Sequence, residues 1–259
     1  MTAASRRRFA DVVRSEPVDV ALACLLVGAE VEPDLDLDES LALLDELAAT
    51  TRRHLPRGCS PELAAAGLQA ALGGEAGFGG GDFDDVRSSL LHEVLRRRTG
   101  LPILLGVVWC EVAARLDVPA YCLGLPGHVL VGLGDPDDVH VVVDPFRGGA
   151  RALAPEPFPA LAPHDLLLRV LTNVRAAAGR RERSLETVRT RLWAVELSLL
   201  LPRHPVSLRR EHGELLVRLG DHAAGADDLE EYASLVEPVD DAEAESARRQ
   251  ARSARAQLN

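Results

Sequence analysis

The sequence contains no lysine, so every one of its 29 basic residues is an arginine. This absence excludes nucleotide-binding proteins that depend on a Walker lysine and enzymes that form a Schiff base on a lysine. The 40 acidic residues leave a formal net charge of -11. Because an acidic surface repels phosphate backbones, we expect no nucleic-acid partner.

Long apolar runs are also missing. No segment approaches the ~18 apolar residues that a membrane-spanning helix needs, and Asp11, Arg14 and Glu16 interrupt the stretch that follows the arginine-rich start. We therefore expect neither a membrane span nor a signal peptide. The four cysteines form no Cys-x-x-Cys pair, which is typical of reduced thiols in the cytoplasm. Aromatic residues make up only 3% of the chain, so leucine, valine and alanine supply the core, a composition that favours helices.

Changes in hydrophobic pattern divide the chain into three parts. Residues 1–75 show apolar residues at helical spacing, and the glycine-rich segment Gly73–Gly81 predicts a flexible loop at the first boundary. Residues 76–180 combine a helix that is apolar nearly all round, Ile103–Leu116, with short strand candidates. Residues 181–259 return to helical spacing. We therefore expect an α+β protein whose mixed core is flanked by an N-terminal and a C-terminal helical region.

Two of the strand candidates, His128–Leu133 and Val139–Asp144, flank a turn-rich loop and predict a hairpin. If Leu133 lies opposite Val139, alternation places the valines on one face and sets His128 directly opposite Asp144 on the other. Directly opposed residues have Cβ atoms ~4.5–5.5 Å apart. A carboxylate at that distance can hydrogen-bond an imidazole and fix its tautomer.

The predicted His128–Asp144 pair allows two interpretations. An aspartate that orients a histidine is the arrangement of a catalytic base and its supporting acid. Alternatively, the two groups satisfy one another in a half-buried sheet, and the pair alone favours this structural role. His140 lies ~13 Å along its strand from Asp144, so we expect no metal site formed by these residues.

Three blocks of sequence stand out together by their order and spacing. They are Ser89–Pro102, which reads SLLHEVLRRRTGLP, Leu125–His128, which reads LPGH, and Asp144–Gly149, which reads DPFRGG. In this combination they resemble the SirB-type transglutaminase-like family, over about Phe78–Arg180. The resemblance implies a papain-like, transglutaminase-like core, in which a buried helix packs on a small antiparallel sheet.

The resemblance also implies roles for particular residues. In active members of that superfamily, a cysteine at the N-terminus of the core helix is the nucleophile, a histidine on a strand is the base, and an aspartate on the next strand orients it. His128 and Asp144 match the second and third positions. The helix start, Pro102–Leu105, offers no cysteine, serine or threonine. The SirB branch commonly lacks this nucleophile, so the resemblance does not itself imply activity.

Two thiols elsewhere in the core are the alternatives. Cys110 lies ~12 Å along the helix from its start, away from the helix-terminus field that lowers a thiol pKa. Cys122, on the strand candidate Pro119–Leu125, is nearer to the predicted site but belongs to an apolar run. We interpret both as buried, unreactive cysteines, with Cys122 the better placed of the two as a nucleophile.

The last helices resemble repeats. Residues 208–238 predict a helix, a Leu-Gly-Asp turn, a second helix and then a proline, and Gly213, Gly220 and Gly225 lie close to the small-residue positions of a tetratricopeptide unit. Such helices form a protein-binding groove in repeat proteins. The alternative is a helical cap on the core.

The sequence therefore supports two hypotheses. The first is a non-catalytic transglutaminase-like protein that acts in protein interaction or regulation, with a protein partner on the C-terminal helices. The second is a cysteine-dependent hydrolase or acyltransferase that uses Cys122 or Cys110 with His128 and Asp144. We favour the first, because the core helix begins without a nucleophile. No metal or cofactor is expected in either case.

Overall fold

The structure is a computed structural model of the chain that describes residues 3–137, 140–153, 160–180 and 184–258. The chain divides into two compact units, Met1–Val170 and Leu171–Asn259. The first unit combines helices with a small antiparallel sheet, and the described residues of the second are mainly helical. The predicted α+β class is therefore confirmed.

Four helices open the first unit, and polar caps fix where three of them begin. The side chains of Asp19, Asp36 and Ser60 each accept a hydrogen bond from a backbone N–H of the first helical turn, as N-cap residues do. The helices are α1 (Ala3–Val12), α2 (Val20–Gly28), α3 (Leu37–Thr51) and α4 (Pro61–Leu68), with short helical turns at Arg52–His54 and Gln69–Glu75.

The segment Gly73–Gly81 is not the flexible loop that the sequence predicts. Its first glycines lie in the helical turn after α4, and Gly79–Gly80 forms strand β1, which pairs in parallel with β2 (Thr99–Gly100). A Cβ atom on Gly73 would lie 1.9 Å from the carbonyl oxygen of Gly148. The missing side chain thus allows two backbone segments to touch, so here glycine serves close packing.

A buried helix packed on a four-stranded antiparallel sheet forms the centre of the first unit. The helix contacts the sheet at Gly106, where a Cβ atom would come within 3.0 Å of the Cys122 sulfur and 3.4 Å of Val129. The helices of this core are α5 (Leu91–Arg97) and the buried α6 (Pro102–Ala114), and the strands, in spatial order, are β3 (Ala120–Leu125), β4 (His128–Gly134), β5 (His140–Asp144) and β6 (Ala150–Arg151).

The register of the β4–β5 hairpin differs from the predicted one. Leu133 pairs with Val141, so the prediction that it lies opposite Val139 is wrong; Val139 itself lies outside the described residues. Strand β4 continues to Gly134, because the N–H of that residue donates to the carbonyl of Pro119 at 2.9 Å. The loop between β4 and β5 therefore begins one residue later than predicted. The partner changes by an even number of residues, so each side chain keeps its predicted face.

The second unit is held together by small residues between helices. A Cβ atom on Gly213 would lie 2.8 Å from the carbonyl oxygen of Gly225, so the helices that carry them cross at close range. The boundary between the units falls within α7 (Pro163–Arg180), and the helices that follow are α8 (Leu185–Leu200), α9 (Ser207–Arg218), α10 (His222–Val236) and α11 (Asp241–Ala256).

None of the helices in the described part of the chain combines the length and the apolar character needed to cross a membrane.

Candidate functional site

The structure brings His128 and Asp144 together. Nε2 of His128 lies 3.0 Å from Oδ1 of Asp144, and the two side chains are 29% and 9% exposed. The same Oδ1 accepts a hydrogen bond from the backbone N–H of Phe146 at 3.0 Å, and Nε of Arg147 lies 3.7 Å from Oδ2. The carboxylate thus contacts three groups, and Nε2 is the imidazole nitrogen that faces it.

The histidine and the aspartate meet diagonally across the two strands. Val131 pairs with Val143, so the residue opposite Asp144 is Leu130, and the prediction of a directly opposed pair is wrong. Diagonal neighbours in a sheet are ~7–8 Å apart, which is still within reach of long side chains. The imidazole and the carboxylate therefore span this distance.

Aromatic rings border His128 where β5 ends. The ring of Phe146 meets the imidazole edge-on, with centroids 5.9 Å apart, and the ring of Phe83 lies 5.8 Å from that of Phe146. Gly80 in β1 leaves room for this arrangement, because a Cβ atom there would lie 2.4 Å from the Phe146 ring. The site is thus an imidazole–carboxylate pair beside an aromatic surface, and its histidine remains partly exposed.

Arg169 on α7 positions the turn that precedes His128, and sequence reasoning missed it. Its Nη2 donates to the carbonyl of Leu125 at 2.7 Å and to the carbonyl of His128 at 2.8 Å. Both ends of the turn are therefore tied to one guanidinium. Burial lowers the pKa of Arg169. The feature of the sequence that could have identified Arg169 is its position as a single cation within the apolar run Leu166–Leu171.

The start of α6, where active superfamily members are expected to carry the nucleophile, is apolar and buried. Pro102, Ile103 and Leu104 open the helix after Leu101, and each of these side chains is buried. No hydroxyl or thiol is present in this first turn. This part of the expected catalytic arrangement is therefore absent.

The structure places Cys122 with Cys110, and on the other face of the sheet from His128. The two sulfurs are 3.7 Å apart, and Cys122 points toward α6, as Val129 does. His128 precedes Val129 in β4, so its side chain projects to the opposite face. The hydrogen bond with Cys122 and burial both raise the pKa of the Cys110 thiol. This placement argues against Cys122 or Cys110 as a nucleophile for His128.

Glu111, a polar residue on the otherwise apolar α6, has an arginine as its partner. Its Oε2 accepts a hydrogen bond from Nη1 of Arg115 at 2.7 Å, one helical turn further on. Arg115 also pairs with Asp45 at 2.7 Å. Glu111 is therefore part of an ion-pair network between α6 and α3.

Three side chains of the kinds that bind metals lie close together near α5. One donor atom each from Glu32, His92 and Glu93 lies within 4.8 Å of the others. Arg96 already occupies the carboxylate of Glu32, since it donates to both of its oxygens at 2.7 and 3.0 Å. This hydrogen bond lowers the pKa of Glu32, and burial lowers that of His92. We interpret the group as an ion-pair network around Arg96 and assign it no metal or cofactor.

Comparison with known proteins yields matches over both units. The model of the transglutaminase-like superfamily matches residues 38–172, and that of the tetratricopeptide repeat matches residues 178–259. A UPF0162 protein of Xylella fastidiosa strain Temecula1 is 30% identical in an alignment of 246 residues, and the match covers 86% of each chain. The corresponding protein of strain 9a5c is 28% identical over the same length. A UPF0162 protein of Pseudomonas aeruginosa is 32% identical over 144 residues, 55% of this chain and 52% of its own.

The superfamily match contains α6, the whole four-stranded sheet and the His128–Asp144 pair. The repeat match contains helices α8 to α11. The chain therefore belongs to the transglutaminase-like superfamily and to the family of the UPF0162 proteins, and it carries a tetratricopeptide repeat region.

Proposed function

We propose that this protein is a non-catalytic, SirB-type transglutaminase-like protein of the bacterial cytoplasm that acts in protein interaction or regulation. The observation that carries the proposal is the start of α6, where Pro102, Ile103 and Leu104 are apolar and buried. His128 and Asp144 are retained as remnants of a Cys-His-Asp triad, and they now hold the end of β5 and the adjoining aromatic surface in place.

The geometry gives little support to the alternative, a cysteine-dependent hydrolase or acyltransferase. Such an enzyme needs a thiol within about 3.2 Å of the imidazole, or somewhat further in an empty site. Cys122 instead faces α6, and its neighbour Cys110 has a raised pKa. Cys122 is buried, and the raised pKa of Cys110 is the opposite of what the electropositive surroundings of a reactive cysteine produce.

Acyl transfer to the protein tests the non-catalytic assignment. The full chain is incubated with p-nitrophenyl acetate and analysed by mass spectrometry for an added acetyl group, beside a His128→Ala variant. We expect no burst of p-nitrophenol and the same slow background acetylation in both proteins. A stoichiometric burst that the His128→Ala variant lacks would contradict the proposal, since it requires a nucleophile activated by that imidazole.

The interaction partner is proposed to bind the C-terminal helices, which the tetratricopeptide match supports. Leu185 at the start of α8 is 61% exposed and borders a hollow of about 540 Å³ together with Val188 and Arg218. An exposed leucine at the edge of a hollow is the kind of feature that protein interfaces bury. The four cysteines form no disulfide, which fits the cytoplasmic part of the proposal.

A matched pair of variants tests where the partner binds. Proteins captured by the full chain are purified, and their dissociation constants are measured for the wild type, Leu185→Asp and Leu63→Asp. Leu63 on α4 is a comparable exposed leucine, at 53%, in the other unit. We expect Leu185→Asp to weaken binding at least about tenfold and Leu63→Asp to leave it unchanged. Equal loss in both variants, or in neither, contradicts binding at the C-terminal helices.

A further inference from the structure

A cavity of about 530 Å³ lies in the first unit, and none of its lining residues belongs to the His128 site. It is formed by the chain that follows α3, the first turns of α4 and the connection from α6 to β3. Small-molecule sites in proteins are commonly clefts of about 300–1,000 Å³. The cavity therefore has the size of a ligand site.

The floor of the cavity is apolar and rigidly built. Leu55, Ala64 and Leu116 are all buried there. Pro61 and Pro119 also line the cavity, and the fixed φ angle of proline limits how far the walls can move. An apolar group of a ligand would be stabilised on this floor by leaving water.

Two arginines at the same cavity lack a carboxylate partner among the described residues. Within the part of the chain that the structure describes, Arg52 makes only a long hydrogen bond, 3.5 Å, to the carbonyl of Arg115. Arg57 is exposed, and no hydrogen bond or ion pair of its side chain occurs within the described residues. Their neighbour Arg53, by contrast, lies 3.8 Å from Glu75. In a chain with an excess of acidic residues, two unneutralised guanidinium groups at one cavity favour an anion.

One acidic residue, Asp117, also lines the cavity. It adopts a left-handed backbone conformation with φ of 59°, which asparagine tolerates as well as aspartate does. Its single negative charge offsets only one of the two arginines, so the lining keeps an excess of positive charge. Exchange of Asp117 for Asn therefore changes the charge of the cavity without changing its backbone.

We propose that this cavity binds a small organic anion. The anionic head, a carboxylate, sulfonate or phosphate, lies between Arg52 and Arg57, and an apolar body rests on Leu55, Ala64 and Leu116. Nothing in this assignment depends on the function proposed for the His128 site.

Two fluorescent probes of similar shape test the proposal. 8-Anilinonaphthalene-1-sulfonate carries an anionic head, and N-phenyl-1-naphthylamine is its neutral counterpart. The full chain is titrated with each probe as the wild type and as Arg52→Gln, Arg57→Gln, Arg53→Gln and Asp117→Asn, after circular dichroism has shown that each variant is folded. Cys59 also lines the cavity, so its alkylation by iodoacetamide reports whether the probe is bound there.

Loss of a positive charge and loss of the negative charge should have opposite effects on binding of the sulfonate probe. Arg52→Gln and Arg57→Gln each weaken binding of the sulfonate about fivefold to tenfold, because each removes a charge-assisted hydrogen bond. Arg53→Gln leaves it unchanged, and Asp117→Asn strengthens it. Saturation with the sulfonate slows alkylation of Cys59, and the neutral probe shows none of these charge effects. Equal binding of both probes, or sulfonate binding that ignores Arg52 and Arg57 and leaves Cys59 accessible, would overturn the proposal.

Discussion

Replacement of His212 by glutamine is expected to remove a large part of the pH dependence of stability in the C-terminal unit. His212 lies on α9, and its side chain is 16% exposed. Its Nδ1 forms a hydrogen bond with Oδ2 of Asp228, and its Nε2 lies 3.8 Å from Glu196. Burial alone would lower the pKa of His212, but these two carboxylates raise it to about 9.

The sign and size of the effect follow from the raised pKa. A histidine that binds its proton more tightly in the folded state stabilises that state fully below its ordinary pKa of 6.5, and the stabilisation is lost as the pH rises through about 9. At about 1.4 kcal/mol per pH unit, the difference between these two values corresponds to about 3 kcal/mol. Residual exposure to water makes this an upper value.

Urea unfolding followed by tryptophan fluorescence provides the assay. The chain has two tryptophans, and Trp193 lies in α8 of the C-terminal unit. Trp109 lies in α6 of the first unit, so a Trp109→Phe background leaves Trp193 as the fluorescent reporter of the C-terminal unit. The free energy of unfolding is measured between pH 6 and pH 9.5 with and without His212→Gln, so that titrations common to both proteins cancel in the difference.

The stability advantage of His212 over glutamine should decrease by about 2–3 kcal/mol between pH 6 and pH 9.5. A difference that stays constant across this range would show that the two carboxylates do not raise the pKa of His212. So would a histidine NMR titration in the folded protein that places the pKa of His212 at its ordinary value of 6.5.

Two further predictions concern the packing around the site. Gly73→Ala should destabilise the first unit by more than about 3 kcal/mol, because the new Cβ would lie 1.9 Å from the carbonyl oxygen of Gly148. Gly74→Ala is the control: the atom nearest to its Cβ would lie 3.7 Å away, so stability should change by less than about 1 kcal/mol. Equal effects of the two substitutions in urea unfolding would contradict the close backbone contact. Arg169→Met should cost about 2–3 kcal/mol, because two carbonyls lose a charged donor; a loss under about 0.5 kcal/mol in the same assay would show that Arg169 does not hold the turn before His128.

Features that depend on neighbours in the sequence are predictable from it. Ser60 followed by Pro61 marks the start of α4, since both the N-cap and the first helical position have local preferences. The apolar character of α6 on all sides predicts its burial in the same way. The contact between His128 and Asp144 also follows, because the alternation of side chains in two adjacent strands puts both on one face.

Features that depend on contacts between distant segments are not predictable in this way. The hairpin register depends on the hydrogen bond from Gly134 to Pro119, the residue just before β3, and no local pattern encodes it. The contact between Arg169 and His128 joins residues 41 positions apart. The sequence alone indicates that Gly73 belongs to a loop, but the nearby carbonyl of Gly148 is what requires a glycine there.

The reactivity of the thiols tests directly whether His128 and Asp144 have a nucleophile to activate. Alkylation of all four cysteines by iodoacetamide is followed site by site by mass spectrometry between pH 6 and pH 10, in the wild type and in His128→Ala. We expect Cys110 and Cys122 to react slowly until the protein unfolds, and equally in both proteins. Rapid alkylation of either one, with an apparent pKa well under ~8.5 and a lower rate in His128→Ala, would contradict this expectation.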